Sequence, residues 1–213
     1  ADMPDARLEA LIRSITYQHT GDAVTNGNRT LSFVVNDGYL DSNIAVSTIT
    51  VTATNDGPVN TLPAAFTAGT QAPISLTGLS VADPDAASSS ITTTLSVSTG
   101  TLAALAGGGV TVSGSGTSSL ILTGTVANLN AFLTSSAPQF TASSVGAVTL
   151  TMLTNDGGNT GAGGALSDND NSTITVVAAP IVDLNSGPVV TTSGPTVNVT
   201  TSNSNLVANG NFG

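Results

Sequence analysis

Aspartate and asparagine recur along this chain in a pattern that suits a cation with oxygen ligands. Asn55-Asp56 is followed by Asp83-Pro84-Asp85, then by Asp156, and then by Asp168-Asn169-Asp170. Ca²⁺ takes about six to eight oxygen ligands, drawn from Asp and Asn side chains, backbone carbonyls and water. We therefore predict Ca²⁺ as the cofactor, with these candidate metal ligands: Asn55, Asp56, Asp83, Asp85, Asp156, Asp168 and Asp170.

The charge inventory favours the same chemistry. The formal net charge is −10, there is no lysine, and every acidic residue except Glu9 is aspartate. Helical surfaces would mix Glu with Lys, so aspartate alone indicates loops, turns and oxygen-ligand sites. An alternative stays open, because Asp and Asn also occupy loops simply as good turn formers.

The elements that must position these residues form a repeat. The phrases Val35–Gly38 and Ser47–Val51 return as Thr154–Gly157 and Ser172–Val176. Their offsets are 155 − 36 = 119 and 173 − 48 = 125, so the second copy carries a few additional residues between the phrases. A period of this size indicates whole domains in series, each copy having two alternating strands joined by an Asn-Asp-Gly turn.

Short alternating segments separated by Gly and Ser predict an all-β fold, a sandwich of about seven strands. Gly57-Pro58 ends the first unit, since both residues interrupt strand pairing. We expect residues 1–58 to be the C-terminal part of one repeat and 59–180 a complete repeat. Residues 181–213 would hold a linker and the first strand or strands of a following domain. Leu8, Leu11 and Ile12 predict a short helical corner, repeated as Leu129, Phe132 and Leu133. The strand candidates in the complete repeat are Ile74–Val81, Ile91–Val97, Val110–Val112, Leu120–Leu122, Val148–Leu153 and Thr173–Val177.

Strand polarity predicts where the acidic loops meet. In a seven-strand sandwich the loop after the second strand and the hairpin after the sixth return to the N-terminal pole. Asp83 and Asp85 would lie in the first of these, and the acidic residues from Asp156 to Asp170 in the second. Both would face the linker that carries Asn55 and Asp56, with the extra residues of the second copy forming an acidic insert directed at this junction.

Three segments of residues 1–58 resemble the end of a bacterial cadherin-like repeat: Leu8–Tyr17, Leu31–Gly38 and Ser47–Pro58. Residues 59–180 resemble it through Val81-Ala82-Asp83-Pro84-Asp85 and the second Asn-Asp-Gly. The resemblance implies tandem immunoglobulin/cadherin-like β-sandwiches, one complete and one or two partial, within large secreted or surface-attached adhesins. It also implies calcium at domain junctions and a structural or adhesive role.

Other chemistry finds little support. The only cations are Arg7, Arg13 and Arg29, which argues against nucleic acid as a partner. Without cysteine, no disulfide or zinc-thiolate site can stabilise the fold. No stretch is apolar enough to predict membrane insertion. His19 is the single histidine, and no Gly-x-Ser-x-Gly elbow occurs, so we expect no enzyme.

We therefore expect a non-catalytic, extracellular structural or adhesive repeat region of a bacterial surface protein or fibre, stiffened by calcium at domain junctions. Its partners would be neighbouring repeats of the same or identical chains, with a surface glycan or protein ligand bound by other domains. One alternative is a self-assembling filament subunit completed by strand exchange between chains. A carbohydrate-binding module is another, because Asn205–Phe212 is similar to the entry sequence of jelly-roll modules of that kind.

Overall fold

The computed structural model describes residues 5–21, 23–70, 72–135, 138–158 and 161–179. Contacts within the chain divide it after Val177, and the described helices and strands belong to the unit that ends there. The predicted linker and following domain at 181–213 lie outside the described residues.

Strands dominate this unit, which confirms the all-β prediction. Helices α1 (Asp5–Arg13) and α2 (Val126–Ser135) contain the two predicted helical corners. The strands are β1 (Gly27–Phe33), β2 (Ala45–Val51), β3 (Val59–Thr61), β4 (Ala65–Gly69), β5 (Ile74–Ser75), β6 (Ser80–Ala82), β7 (Ser90–Val97), β8 (Thr101–Ala103), β9 (Thr111–Ser113), β10 (Ser119–Thr125), β11 (Gln139–Thr141), β12 (Gly146–Asn155) and β13 (Ser167–Val177).

The largest sheet has six strands in the order β4-β13-β12-β7-β10-β9. Its strands are antiparallel except for β4, which runs parallel to β13. A three-stranded sheet has the order β5-β11-β8, and β3 pairs with β6. Strict alternation explains the central strands: in β7 every second residue from Ile91 to Val97 is buried, while the threonines and serines between them are partly exposed.

One buried cluster joins the six-stranded sheet, the three-stranded sheet and α2. Leu95, Leu150 and Ile174 come from the first, Phe140 from the second, and Leu129 from α2, and each is at most 1% exposed. The core is almost wholly aliphatic, as the scarcity of aromatic residues requires. In the described residues no helix is long and apolar enough to cross a membrane.

The predicted strand Ile74–Val81 is wrong in its continuity, because it divides into β5 and β6. Between them Gly78 has φ +79°, a left-handed conformation that breaks the extended backbone. The Cβ of any other residue there would lie 3.0 Å from Pro63 Cγ. The resulting bend carries the chain from one sheet to another.

The internal repeat is visible in the backbone. Asn36 Oδ1 accepts a hydrogen bond from Gly38 N at 2.7 Å, and Asn155 Oδ1 accepts one from Gly157 N at 2.9 Å. In the first copy Asp37 Oδ1 accepts from Leu40 N, and in the second Asp156 Oδ1 accepts from Leu166 N, each at 2.8 Å. The second turn is therefore longer by (166 − 156) − (40 − 37) = 7 residues.

The first copy has one extra residue of its own, which accounts for the offset of the second phrase. Asn36 pairs with Asp41, and Phe33 with Ala45. Two residues on one strand thus lie opposite three on the other, as at a β-bulge. The hairpin of β12 and β13 is regular throughout. The second copy has seven more residues in its turn, and the first copy has one more residue in its bulge. The net difference, 7 − 1 = 6, equals the difference between the two sequence offsets, 125 − 119 = 6.

The two copies differ sharply in burial. The second copy's helix residues Leu129 and Leu133 are fully buried, whereas Leu11 in the first copy is 58% exposed. Among the described residues β1 and β2 pair with one another alone, while β12 and β13 are interior strands of the six-stranded sheet. The same sequence pattern thus occurs once inside a core and once on a surface.

Candidate metal site at the linker

The linker between β2 and β3 is attached to the long turn of the second copy. Asn55 N donates to Ala162 O, and Ala162 N donates to Ala53 O, both at 2.9 Å. Thr54 and Ala162 form a parallel bridge. The insert, which lies between Asp156 and Leu166, therefore holds the linker through the backbone of Ala162.

The prediction that the additional residues of the second turn form an acidic insert is wrong. The residues between Gly158 and Leu166 include no carboxylate, and they hold the linker through their backbone. Asp168 and Asp170 belong to β13, in regular register opposite Thr154 and Met152. The alternation of the strand continues past these charges, because their neighbours Ser172, Ile174 and Val176 point into the core.

Asn55 is the central residue of the linker and is 7% exposed. Its Nδ2 donates to Asp156 Oδ2 at 2.6 Å and to Gly164 O at 2.9 Å. These two acceptors fix the orientation of the amide, since only the nitrogen can donate. Asn55 Oδ1 is buried and accepts no hydrogen bond within the part of the chain that the structure describes.

Asp156 orients Asn55 and closes the turn. Its Oδ1 accepts from Gly158 N and Leu166 N, both at 2.8 Å. Burial by itself would raise the pKa of the Asp156 carboxyl, but the hydrogen bonds from Leu166, Asn55 and Gly158 outweigh burial and lower it. Asp156 is therefore held as a carboxylate, and it joins the turn to the linker.

The loop after β6 supplies two more carboxylates. Asp83 Oδ1 accepts from Asp85 N at 3.2 Å and from Ala86 N at 3.0 Å, which is an Asx turn. Asp85 Oδ2 accepts from Asp56 N at 2.9 Å, so the loop also contacts the linker. Asp83 Oδ2 is buried and, among the described residues, accepts no hydrogen bond.

Burial raises the pKa of the Asp83 carboxyl, and so do the neighbouring carboxyl and charge of Asp85, against the opposing hydrogen bond from Ala86 N. Two ionised carboxylates can only accept, so they form no hydrogen bond with one another unless a proton lies between them. A hydrogen bond between the Asp83 and Asp85 carboxyls therefore requires a proton on one of them.

Asn60 is a buried polar residue that the sequence analysis did not identify. Its backbone N donates to Asp168 Oδ2 at 2.7 Å, and its Nδ2 donates to Asp168 O at 2.9 Å. Thr154 Oγ1 donates to Asn60 Oδ1 at 2.6 Å. Asp168 thus fixes β3 against β13. The only sequence signal for the burial of Asn60 was an Asn at a strand position shortly after Pro58.

The seven predicted ligands therefore separate into groups. Hydrogen bonds join Asn55, Asp56, Asp83, Asp85 and Asp156 around the linker, whereas Asp168 binds Asn60. Asp170 lies further along β13. Within the described ranges no three acidic or histidine side chains gather as a metal-binding set. Asn55 Oδ1 and Asp83 Oδ2 are buried oxygens of this group that accept no hydrogen bond in the described part of the chain.

No protein-family profile matches this chain, and no curated protein matches it.

The insert can be tested through Gly161, whose φ is +91°. A Cβ at this position would lie 2.5 Å from Asn55 N and from Thr54 C, so Gly161→Ala should separate the insert from the linker. Loss of the two backbone hydrogen bonds between Ala162 and the linker should lower the free energy of local opening at Asn55 by about 1–3 kcal/mol. Amide hydrogen exchange of Asn55 and Ala162 measures this loss, with Leu150 as the core reference.

Gly163→Ala is the matched control, because Gly163 has φ +127° but no atom within 4 Å of its would-be Cβ. It carries backbone strain without the clash. Equal loss of Asn55 protection in both variants would show that strain in the insert, and not contact with the linker, determines the effect.

Proposed function

We propose that this chain is a non-catalytic structural region of an extracellular bacterial surface protein, built from tandem cadherin-like β-sandwich units. The repeated helix and hairpin support the tandem arrangement, since both copies share the turn geometry at Asn36 and Asn155. The linker supports a mechanical role, because it is held by backbone and side-chain hydrogen bonds on the side of the long turn.

Calcium is the cofactor of this proposal, and its function is to stiffen the linker against the unit that follows. The observation that carries it is the pair of buried oxygens, Asn55 Oδ1 and Asp83 Oδ2, that accept no hydrogen bond within the described residues. Burying an acceptor without a partner costs free energy, which an ion restores. Asn55, Asp83 and Asp85 would hold the ion, with water and backbone carbonyls completing the shell.

Few carboxylates and a partly exposed loop predict weak binding. Extracellular calcium modules with such sites bind in the range of about 10⁻⁴ to 10⁻³ M. That range suits a site filled outside the cell, and it makes the ion a stabiliser of conformation. Asp156, whose Oδ1 accepts from two backbone donors, orients Asn55 and is not assigned as a ligand.

Calcium titration followed by thermal unfolding tests the proposal on the intact chain. The melting temperature should rise with millimolar Ca²⁺, since an ion that binds only the folded state adds about 2.7 kcal/mol at one hundred times its dissociation constant. Mg²⁺ at equal ionic strength is the control, because its smaller octahedral shell fits such a site poorly. An unchanged melting temperature in Ca²⁺, or an equal rise in Mg²⁺, would count against a calcium site.

A further inference from the structure

The N-terminal hairpin has an apolar face with a counterpart in the second copy. Leu31, Phe33, Ile49 and Val51 lie on one face of the hairpin and are only half buried. Their counterparts at offsets of 119 and 125 are Leu150, Met152, Ile174 and Val176, which are between 0% and 3% exposed. The face of the first hairpin therefore has the same apolar pattern as a face that is buried in the core in the second copy.

The second copy shows which strand extends such a face at its edge. The outer edge of β13 is occupied by β4, which runs parallel to it and places Phe66 opposite Ile174 and Ala68 opposite Val176. In the first copy the corresponding edge is that of β2, which among the described residues pairs with β1 alone. A strand of the β4 type, added in parallel, would complete it.

The chain contains a segment of that type beyond the described residues. Gly187-Pro188-Val189-Val190-Thr191 repeats Gly57-Pro58-Val59-Asn60-Thr61. Further on, Val197 and Val199 alternate with polar residues as Phe66 and Ala68 do in β4, with one residue more between the two features than in the first copy, since 197 − 187 = 10 and 66 − 57 = 9. The chain beyond β13 thus contains a segment with the alternation of a β4-type strand.

We infer that residues 195–200 of a second copy of this chain add to the edge of β2 as a parallel strand, so that copies associate head to tail. Main-chain hydrogen bonds would give affinity, and the alternating apolar side chains would set the register. The β4 template gives that register: Val197 lies beside Ile49, and Val199 beside Val51. The donor segment begins 195 − 177 = 18 residues after the end of β13.

The contact does not involve the calcium site, so either proposal can fail alone. It is also heterologous: a pair of copies would keep one free hairpin, on one copy, and one free donor segment, on the other. Such contacts do not close on themselves and extend into filaments.

Because the native chain has no cysteine, disulfide trapping tests the register directly. Full-length Ile49→Cys and full-length Val197→Cys, mixed under mild oxidation, should form a covalent heterodimer, since neighbouring strands bring Cα atoms within disulfide range. Thr48→Cys with Val197→Cys is the matched control, because Thr48 points to the other face of β2 and should be trapped much less.

Two further measurements complete the test. Sedimentation of the unmodified chain should show mass rising with concentration, and Val197→Pro with Val199→Pro should abolish that rise, since proline removes strand donors. Asn203→Pro, outside the segment, should leave it unchanged. A chain that stays monomeric at high concentration would overturn the inference. So would an intrachain disulfide in a dilute Ile49→Cys, Val197→Cys double variant, since the donor would then be the chain's own segment.

Discussion

Asp83→Asn is expected to stabilise the protein in chelator and to remove its response to Ca²⁺. The pKa of Asp83 is raised by burial and by Asp85, so keeping Asp83 ionised costs folding free energy whenever no cation is bound. Asparagine removes that charge, and its Oδ1 can still accept from Asp85 N and Ala86 N in the Asx turn. Thermal unfolding with chelator and with millimolar Ca²⁺ measures both effects.

Asp41→Asn is the matched control for this variant. It makes the same charge change, and the hydrogen bond from Asn36 Nδ2 to the residue at 41 can persist with an asparagine oxygen. Asp41 belongs to the first hairpin and not to the linker cluster. If Asp41→Asn lost the calcium response and Asp83→Asn kept it, the site would have to be moved to the first hairpin.

The same site sets the expected pH dependence, and its two carboxyls act in opposite directions. Asp83 has a folded-state pKa above its ordinary 3.8, so the cost of its ionisation is present above that raised pKa and is relieved as pH falls through it. Asp156 has a lowered pKa, so its contribution is present above 3.8 and is lost as pH falls through the lower value. As the pH is lowered, the calcium-dependent rise in melting temperature should therefore shrink before the contribution of ionised Asp156 to stability is lost.

Ile174→Ala should destabilise the protein by about 2–5 kcal/mol, whereas the corresponding change in the first copy, Ile49→Ala, should cost less than about 1 kcal/mol. Ile174 is fully buried in the six-stranded sheet, and truncating it leaves a cavity. Ile49 occupies the same place in the repeated phrase but is only half buried. Urea unfolding at low protein concentration measures the two free energies in one host chain.

Low concentration matters in that comparison, because the proposed strand addition would bury Ile49 and increase its cost. A cost for Ile49→Ala as large as that for Ile174→Ala in dilute solution would mean that the hairpin already has a core partner within its own chain.

Much of the candidate site could be anticipated because its signals are local. Asn-Asp-Gly favours an Asx turn, and the turns at Asn36 and Asn155 share their geometry. The same triplet at Asn55 forms none, since Asn55 Oδ1 accepts no hydrogen bond among the described residues. The loop Asp83-Pro84-Asp85 likewise folds on its own backbone. Strand polarity then accounts for its meeting with Asp56, because alternate loops of antiparallel strands return to one end of a sheet.

Other features could not be anticipated, since they depend on partners distant in sequence. Asn60 has ordinary neighbours, and its burial follows from Met152, Thr154 and Asp168, which lie more than ninety residues away. Strand β4 is short, and it forms because its backbone pairs with the edge of β13. The insert has the composition of a loose Gly-rich loop, yet Ala162 pairs with the linker.

The sequence by itself determined the strand alternation, the helical corners, the Asx turns and the tandem repeat, because each is encoded by side chains within a few residues of one another. Only the tertiary structure decided which copy of the repeat is buried and which acidic residues meet. Burial depends on distant elements: β4 and β7 flank the second hairpin in its sheet, and α2 and the three-stranded sheet share its buried cluster, whereas no other described strand pairs with the first hairpin. For the same reason Asp83 and Asp85 meet the linker at Asn55 and Asp56, while Asp168, in equally acidic surroundings, binds Asn60.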